Sequence, residues 1–163
     1  MCRYCNSRVA VFSPEGKHLH DMRGDWKVVH SLVLYEPEDV LCVADREGRK
    51  IDCMGAGLRL PQFRGEISTT VRDVGRVYGL AGRGTALLAV SAGEPFSWGK
   101  KAQARGLTID LSNESSVVNT WGSELTNPHA VAISRGGEAV YVAEIGPNQI
   151  RKFEVITPAA EIF

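Results

Sequence analysis

His30-Ser31-Leu32-Val33-Leu34 and His129-Ala130-Val131-Ala132-Ile133 can be laid over one another, and the residues downstream of each decide the fold. Thirteen residues after each histidine comes a matching apolar core, Val43-Ala44-Asp45 in the first and Val142-Ala143-Glu144 in the second. A turn comes next in both, Glu47-Gly48-Arg49 and Gly146-Pro147-Asn148, and then an alternating stretch, Lys50-Ile51-Asp52-Cys53 and Gln149-Ile150-Arg151-Lys152-Phe153. Agreement of strand, turn and strand over about 24 residues marks an internal repeat.

Working outward, Ala86-Leu87-Leu88-Ala89-Val90-Ser91 aligns with Val40 through Asp45 as a third copy. In that register Arg76 falls where the histidines stand, so the middle copy is expected to keep the strand without the imidazole. Leu107-Thr108-Ile109-Asp110-Leu111 and Val117-Val118-Asn119-Thr120-Trp121 supply its later strands. Nearer the start, Asn6 through Phe12 matches the late strand of a unit, Ser13-Pro14-Glu15-Gly16 is a hairpin turn, and Lys17-His18-Leu19-His20 begins the return. No window keeps a 3.6-residue apolar period, so helices should be few. Short strands in units of about 45–55 residues, punctuated by Gly, Pro and Asn, are the pattern of β-propeller blades. The expected fold is all-β, an incomplete propeller. Three blades and part of another are too few to close a ring, so the first and last should each show an apolar face unless upstream blades or another chain cover them.

Composition removes several other classes. Hydrophobic residues make up 44% and charged residues 23% of 163, which is typical of a globular chain with a buried core. Lys plus Arg equals Asp plus Glu at 19 each, so no overall field favours nucleic acid or an acidic membrane. No apolar run reaches the roughly 18–20 residues that a membrane helix needs, and Met1-Cys2-Arg3-Tyr4-Cys5 lacks the apolar stretch of a secretory signal. Cys2 and Cys5 have the spacing of half a zinc knuckle without a second pair at that spacing. Cys42 and Cys53 flank a tight turn and could be a bridge between paired strands or two reduced core thiols. Asn113-Glu114-Ser115 is a glycosylation sequon. His18 and His20, on a turn-proximal strand without a repeat partner, read as solvated.

The repeat resembles the NHL propellers, and within them three stretches point to the peptidyl-α-hydroxyglycine α-amidating lyases. Tyr4-Cys5-Asn6-Ser7-Arg8-Val9 looks like that family's Gly-Tyr-Cys-Asn-Ser-Arg-Ile signature. Val29-His30-Ser31-Leu32 and Leu41-Cys42-Val43-Ala44-Asp45-Arg46-Glu47 look like its Pro-His-Ser-Leu and Cys-Val-Ala-Asp-Arg-Glu-Asn segments. Asn127-Pro128-His129-Ala130-Val131 resembles its final Pro-His segment. The resemblance implies about three to four blades of a six-bladed ring over 1–156 and a tail over 157–163. It also implies the cleavage of C-terminal peptidyl-α-hydroxyglycine to a peptide amide and glyoxylate, in the secretory pathway or outside the cell.

The same resemblance implies roles for individual residues. His30 and His129 would be zinc ligands, reaching a shared axis from equivalent inner strands, with a third histidine and a second carboxylate-binding arginine upstream of Met1. Catalytic zinc commonly takes three protein ligands and keeps a position open. Tyr4 would be the base that takes the hydroxyl proton, its phenol acidified by nearby cations. Arg46 would hold the substrate carboxylate in a bidentate pair. Cys42 and Cys53 match a family disulfide, while Cys5 matches a half-cystine whose partner lies upstream, leaving it free or paired with Cys2. Where many members carry a calcium-ligating Asp this chain has Ala130, whose methyl offers no oxygen, which argues against calcium there. The partners expected are hydroxyglycine-extended peptides, and upstream blades or a fused monooxygenase domain. Lacking one ligand and one arginine, the chain alone is expected to release little or no glyoxylate. From another functional class, a non-catalytic propeller serving as a protein-binding platform would have no need to keep Tyr4, His30, Arg46 and His129 in this order.

Overall fold

The computed structural model describes residues 6–93, 103–112 and 115–156. Among these, β-strands account for the architecture apart from one short 3-10 turn at Pro61–Phe63. Strands β1 (Arg8–Phe12) and β2 (His18–Arg23) form a two-stranded sheet. Then come two four-stranded antiparallel meanders. The first is β3 (Val29–Tyr35), β4 (Val40–Asp45), β5 (Lys50–Gly55) and β6 (Ile67–Val71), and the second is β7 (Arg76–Arg83), β8 (Ala86–Ala92), β9 (Arg105–Asp110) and β10 (Ser116–Trp121). The last sheet holds β11 (Pro128–Ile133), β12 (Ala139–Glu144) and β13 (Gln149–Glu154). The molecule is therefore an all-β propeller arc: part of a blade, two whole blades and three strands of another. No helix among the described residues is long and apolar enough to cross a membrane.

Three apolar layers between successive sheets hold the arc together. Val9, Met22, Trp26, Val43 and Met54 fill the first, Ala44, Ile51, Val77, Leu87, Leu107 and Ile109 the second, and Leu88, Val90, Leu125, Val140 and Val142 the third. Alternation along each middle strand sends successive side chains into two different layers, so β4 and β8 are buried on both faces. Cys42 and Cys53 are direct partners across β4 and β5, and they form a disulfide inside the second layer. That bridge decides between the two sequence alternatives in favour of the pair. The ends of the arc expose apolar side chains, as expected for an unclosed ring: Phe12 on β1 and Leu19 on β2, and Ile150, 74% exposed, on β13.

Candidate functional site

The inner strands β3, β7 and β11 each start with the same irregularity. Val29 pairs with Asp45 and Ser31 with Ala44, so His30 is an extra residue with no partner of its own on β4. Pro128 pairs with Glu144 and Ala130 with Ala143, and His129 is skipped in the same way. On β7, Val77 pairs with Ser91 and Gly79 with Val90, and the skipped residue is Tyr78. A bulge of this kind bends the strand and re-aims one side chain. The result is three rings at one place: His30 and His129 have ring centres 5.0 Å apart, with Tyr78 5.0 Å from His30 and 5.2 Å from His129. All three residues are half-buried.

This corrects the expected register of the middle copy. Tyr78, not Arg76, stands where the histidines stand, because the turn between β7 and β8 has two residues (84–85) and that between β3 and β4 has four (36–39). Counting back thirteen residues from the β8 core therefore overshoots by two.

Two buried carboxylates fix the approach to the histidines. Asp45 accepts hydrogen bonds from the backbone N–H groups of Lys27, Val28 and Gly48 at 2.8–3.1 Å. Its counterpart Glu144 accepts from the Thr126 and Asn127 N–H groups at 2.6 and 3.1 Å, and from Gln149 and Arg151. Burial by itself would raise the Glu144 carboxyl, but these donors outweigh it and hold it at about 2. Backbone bonds from Arg46 N–H to the Val28 carbonyl and from Ile145 N–H to the Asn127 carbonyl complete the two loops. Each histidine thus begins two or three residues beyond a pinned loop. The middle blade has Ser91 at the carboxylate position, opposite Val77.

The electrostatics favour a neutral, oriented imidazole at His30. Its Nδ1 lies 2.8 Å from the Tyr78 carbonyl oxygen, which can only accept, so Nδ1 carries the proton and Nε2 keeps its lone pair. Burial lowers the His30 pKa most; the Tyr78 carbonyl opposes this, and Arg46 and His129 push it down further. Arg46 is a half-buried residue whose guanidinium carbon lies 5.3 Å from the Tyr78 ring centre, within cation–π range. Glu47 receives Arg46 Nε on one oxygen and Arg76 on the other, each at 3.0 Å, so two guanidiniums share one carboxylate beside the rings. Two imidazoles on one tetrahedral ion at metal–nitrogen distances of about 2 Å have ring centres about 5 Å apart. His30 and His129 meet that spacing, although among the described residues no group of three His, Cys, Asp or Glu is suited to hold a metal.

Of the other expected site residues, Tyr4, Cys2, Cys5 and Asn113 lie outside the described residues. His18 is not simply solvated: it pairs with Asp21 at 2.9 Å. His20 is half-buried, with Nε2 enclosed and without a partner among the described residues. Sequence reasoning missed Tyr78, Arg76 and Glu47 as members of the site. Only the alignment of β7 could have signalled them, and the short hairpin hid it.

No protein-family model matches the chain. It is 40% identical over 152 residues to the peptidyl-alpha-hydroxyglycine alpha-amidating lyase 2 of Drosophila melanogaster, covering 89% of this chain and 36% of that protein. It is 28% identical over 166 residues to a probable peptidyl-alpha-hydroxyglycine alpha-amidating lyase of Caenorhabditis elegans, covering 94% of this chain and 45% of that one. The chain thus spans less than half the length of these curated relatives. Among solved structures, the Myceliophteria thermophila Cps50 (Swd1) beta-propeller domain superposes with a TM-score of 0.66 at 12% identity over 92% of this chain and 48% of that one, a likeness of fold alone.

Proposed function

We propose that this chain, a homologue of the peptidyl-α-hydroxyglycine α-amidating lyases over 89% of its length, carries part of a lyase centre that converts a C-terminal peptidyl-α-hydroxyglycine to a peptide amide and glyoxylate. The observation that carries the reading is the meeting of His30 and His129 from separate blades, with Arg46 beside them. The substrate is a carbinolamide. Its hydroxyl loses a proton, the C–N bond breaks, the electron pair and a proton go to the amide nitrogen, and the oxygen becomes the aldehyde of glyoxylate. Zinc held by His30 and His129 would supply the Lewis acidity that makes the hydroxyl easier to deprotonate. His30 serves through Nε2, since its other nitrogen is committed to the Tyr78 carbonyl. Arg46 faces the substrate carboxylate and fixes the carbon between hydroxyl and amide. Tyr4, by resemblance, receives the hydroxyl proton on its phenolate oxygen.

The Cys42–Cys53 disulfide supports residence in the secretory pathway, where such bonds persist. Hydroxyglycine-extended peptides are the proposed substrates. The test uses the gene product containing this chain and a peptide ending in α-hydroxyglycine. Glyoxylate release should fall at least about 100-fold on His129→Ala or on chelation, and the chelated protein should recover with added zinc. Turnover indifferent to both changes would remove the imidazole pair from the reaction.

A further inference from the structure

Tyr78 is the residue that the lyase reading does not use, although it is placed as the histidines are. It is the skipped residue of the same bulge on the blade between theirs. Its ring completes a nearly equilateral triangle with theirs, with sides of 5.0, 5.0 and 5.2 Å. Arg46 lies over its ring at 5.3 Å. Its own carbonyl orients His30. The backbone makes room for this: a methyl group added at Gly79 would meet Ala130 Cα and Val131 N at 3.0 Å, so β7 runs unusually close to β11. A filler aromatic needs none of these features together.

We propose that Tyr78, at the third vertex of the ring triangle, acts as a positioning residue that holds the imidazoles of His30 and His129 in a fixed mutual arrangement. This rests on the reading that those two imidazoles bind a divalent metal. Two consequences separate the role from ordinary core filling. Removing the ring while keeping the fold should loosen both imidazoles and weaken metal binding, whereas Tyr78→Phe, which keeps the ring, should not. Tyr78→His should place a third nitrogen at the vertex and convert the pair into a three-imidazole site.

The experiment is a titration of the chain with Co2+, followed by visible absorption, for the wild type, Tyr78→Phe, Tyr78→Leu, Tyr78→His and His129→Ala, with circular dichroism as a check of folding. Nitrogen NMR of the imidazoles without metal is the second readout. Expected are an affinity within about threefold of wild type for Tyr78→Phe, a roughly tenfold loss for Tyr78→Leu, and a gain of about tenfold or more with tetrahedral absorption for Tyr78→His. The His30 tautomer, set by the backbone carbonyl of residue 78, should be the same in wild type, Tyr78→Phe and Tyr78→Leu, while the ring signals of His30 and His129 should shift and broaden in Tyr78→Leu alone. A folded Tyr78→Leu with wild-type affinity and unchanged imidazole signals, or a folded Tyr78→His that binds no tighter, overturns the inference. If the wild type binds no cobalt but Tyr78→His does, the triangle stands and the two-imidazole reading falls. Silence from every variant, Tyr78→His included, removes both.

Discussion

At the scale of single residues, the site depends on groups that repeat at an offset of 99 positions: His30 and His129, Asp45 and Glu144, Val28 and Asn127. The imidazoles are legible in the sequence because the spacing from each to its apolar core is the same. The carboxylates are visible as matching positions, but their work is not, since their partners are backbone N–H groups that carry no sequence signal. Glu144→Gln keeps the shape but replaces an acceptor-only carboxylate with an amide that also presents donors to Thr126, Asn127 and Arg151. We expect it to destabilise the chain by about 1–3 kcal/mol in urea unfolding, and to weaken cobalt binding at His129 as well. Arg46→Lys keeps the charge and loses the planar fork. In the full gene product it should raise KM for the hydroxyglycine substrate about tenfold or more, with a smaller change in kcat.

At the scale of strands and sheets, the repeated copies declare themselves through alternation and turn residues, and the elements lie where that pattern puts them. β6 and the 3-10 turn are not legible: Ile67-Ser68-Thr69-Thr70-Val71 is a mostly exposed outer strand with little apolar pattern to read. Blade spacing is set where β7 passes β11. Gly79→Ala forces a methyl group against backbone that cannot rotate away, unlike the far end of a flexible side chain. We expect a loss of about 1–3 kcal/mol, and separation of the Tyr78 and His129 rings, visible as changed imidazole chemical shifts. The disulfide closes a loop of 11 residues within one blade. Replacing both cysteines by serine should cost about 2–3 kcal/mol while leaving the strand order intact, measured as a lower urea midpoint with unchanged far-ultraviolet dichroism.

At the scale of the whole molecule, buried carboxylates govern the response to acid. Burial opposes ionisation of Glu144, Asp52 and Asp39, yet hydrogen bonds to the charged form prevail in all three. Glu144 is held at about 2 and the aspartates below their ordinary 3.8. Asp52 receives Lys50, Thr70 and the Trp26 indole, and Asp39 receives the N–H groups of residues 58–60. Depressed folded-state values stabilise the fold fully above the unfolded values, near 3.8 for Asp and 4.5 for Glu, and that stabilisation is lost as pH falls through the folded ones. Because the lowered His30 value withholds a proton that the unfolded chain takes up below about 6.5, stability should decline gently from there to about pH 5 and steeply from pH 5 toward pH 2. A urea midpoint unchanged across that acid window would count against this assignment. The exposed Phe12 and Leu19 at one end of the arc and Ile150 at the other are foreseeable from counting blades; the convergence of three bulges on one point is not, because it arises from the hairpin lengths of separate blades.

The short β7–β8 hairpin and the bulge it places at Tyr78 also bear on how such a site changes over generations. Tyrosine and histidine codons differ only in their first base, so one transition exchanges phenol for imidazole at that vertex. Since the backbone already aims the side chain of each inner strand at the same point, a lineage could gain or shed a ligand there by a single nucleotide change, with every strand left in place.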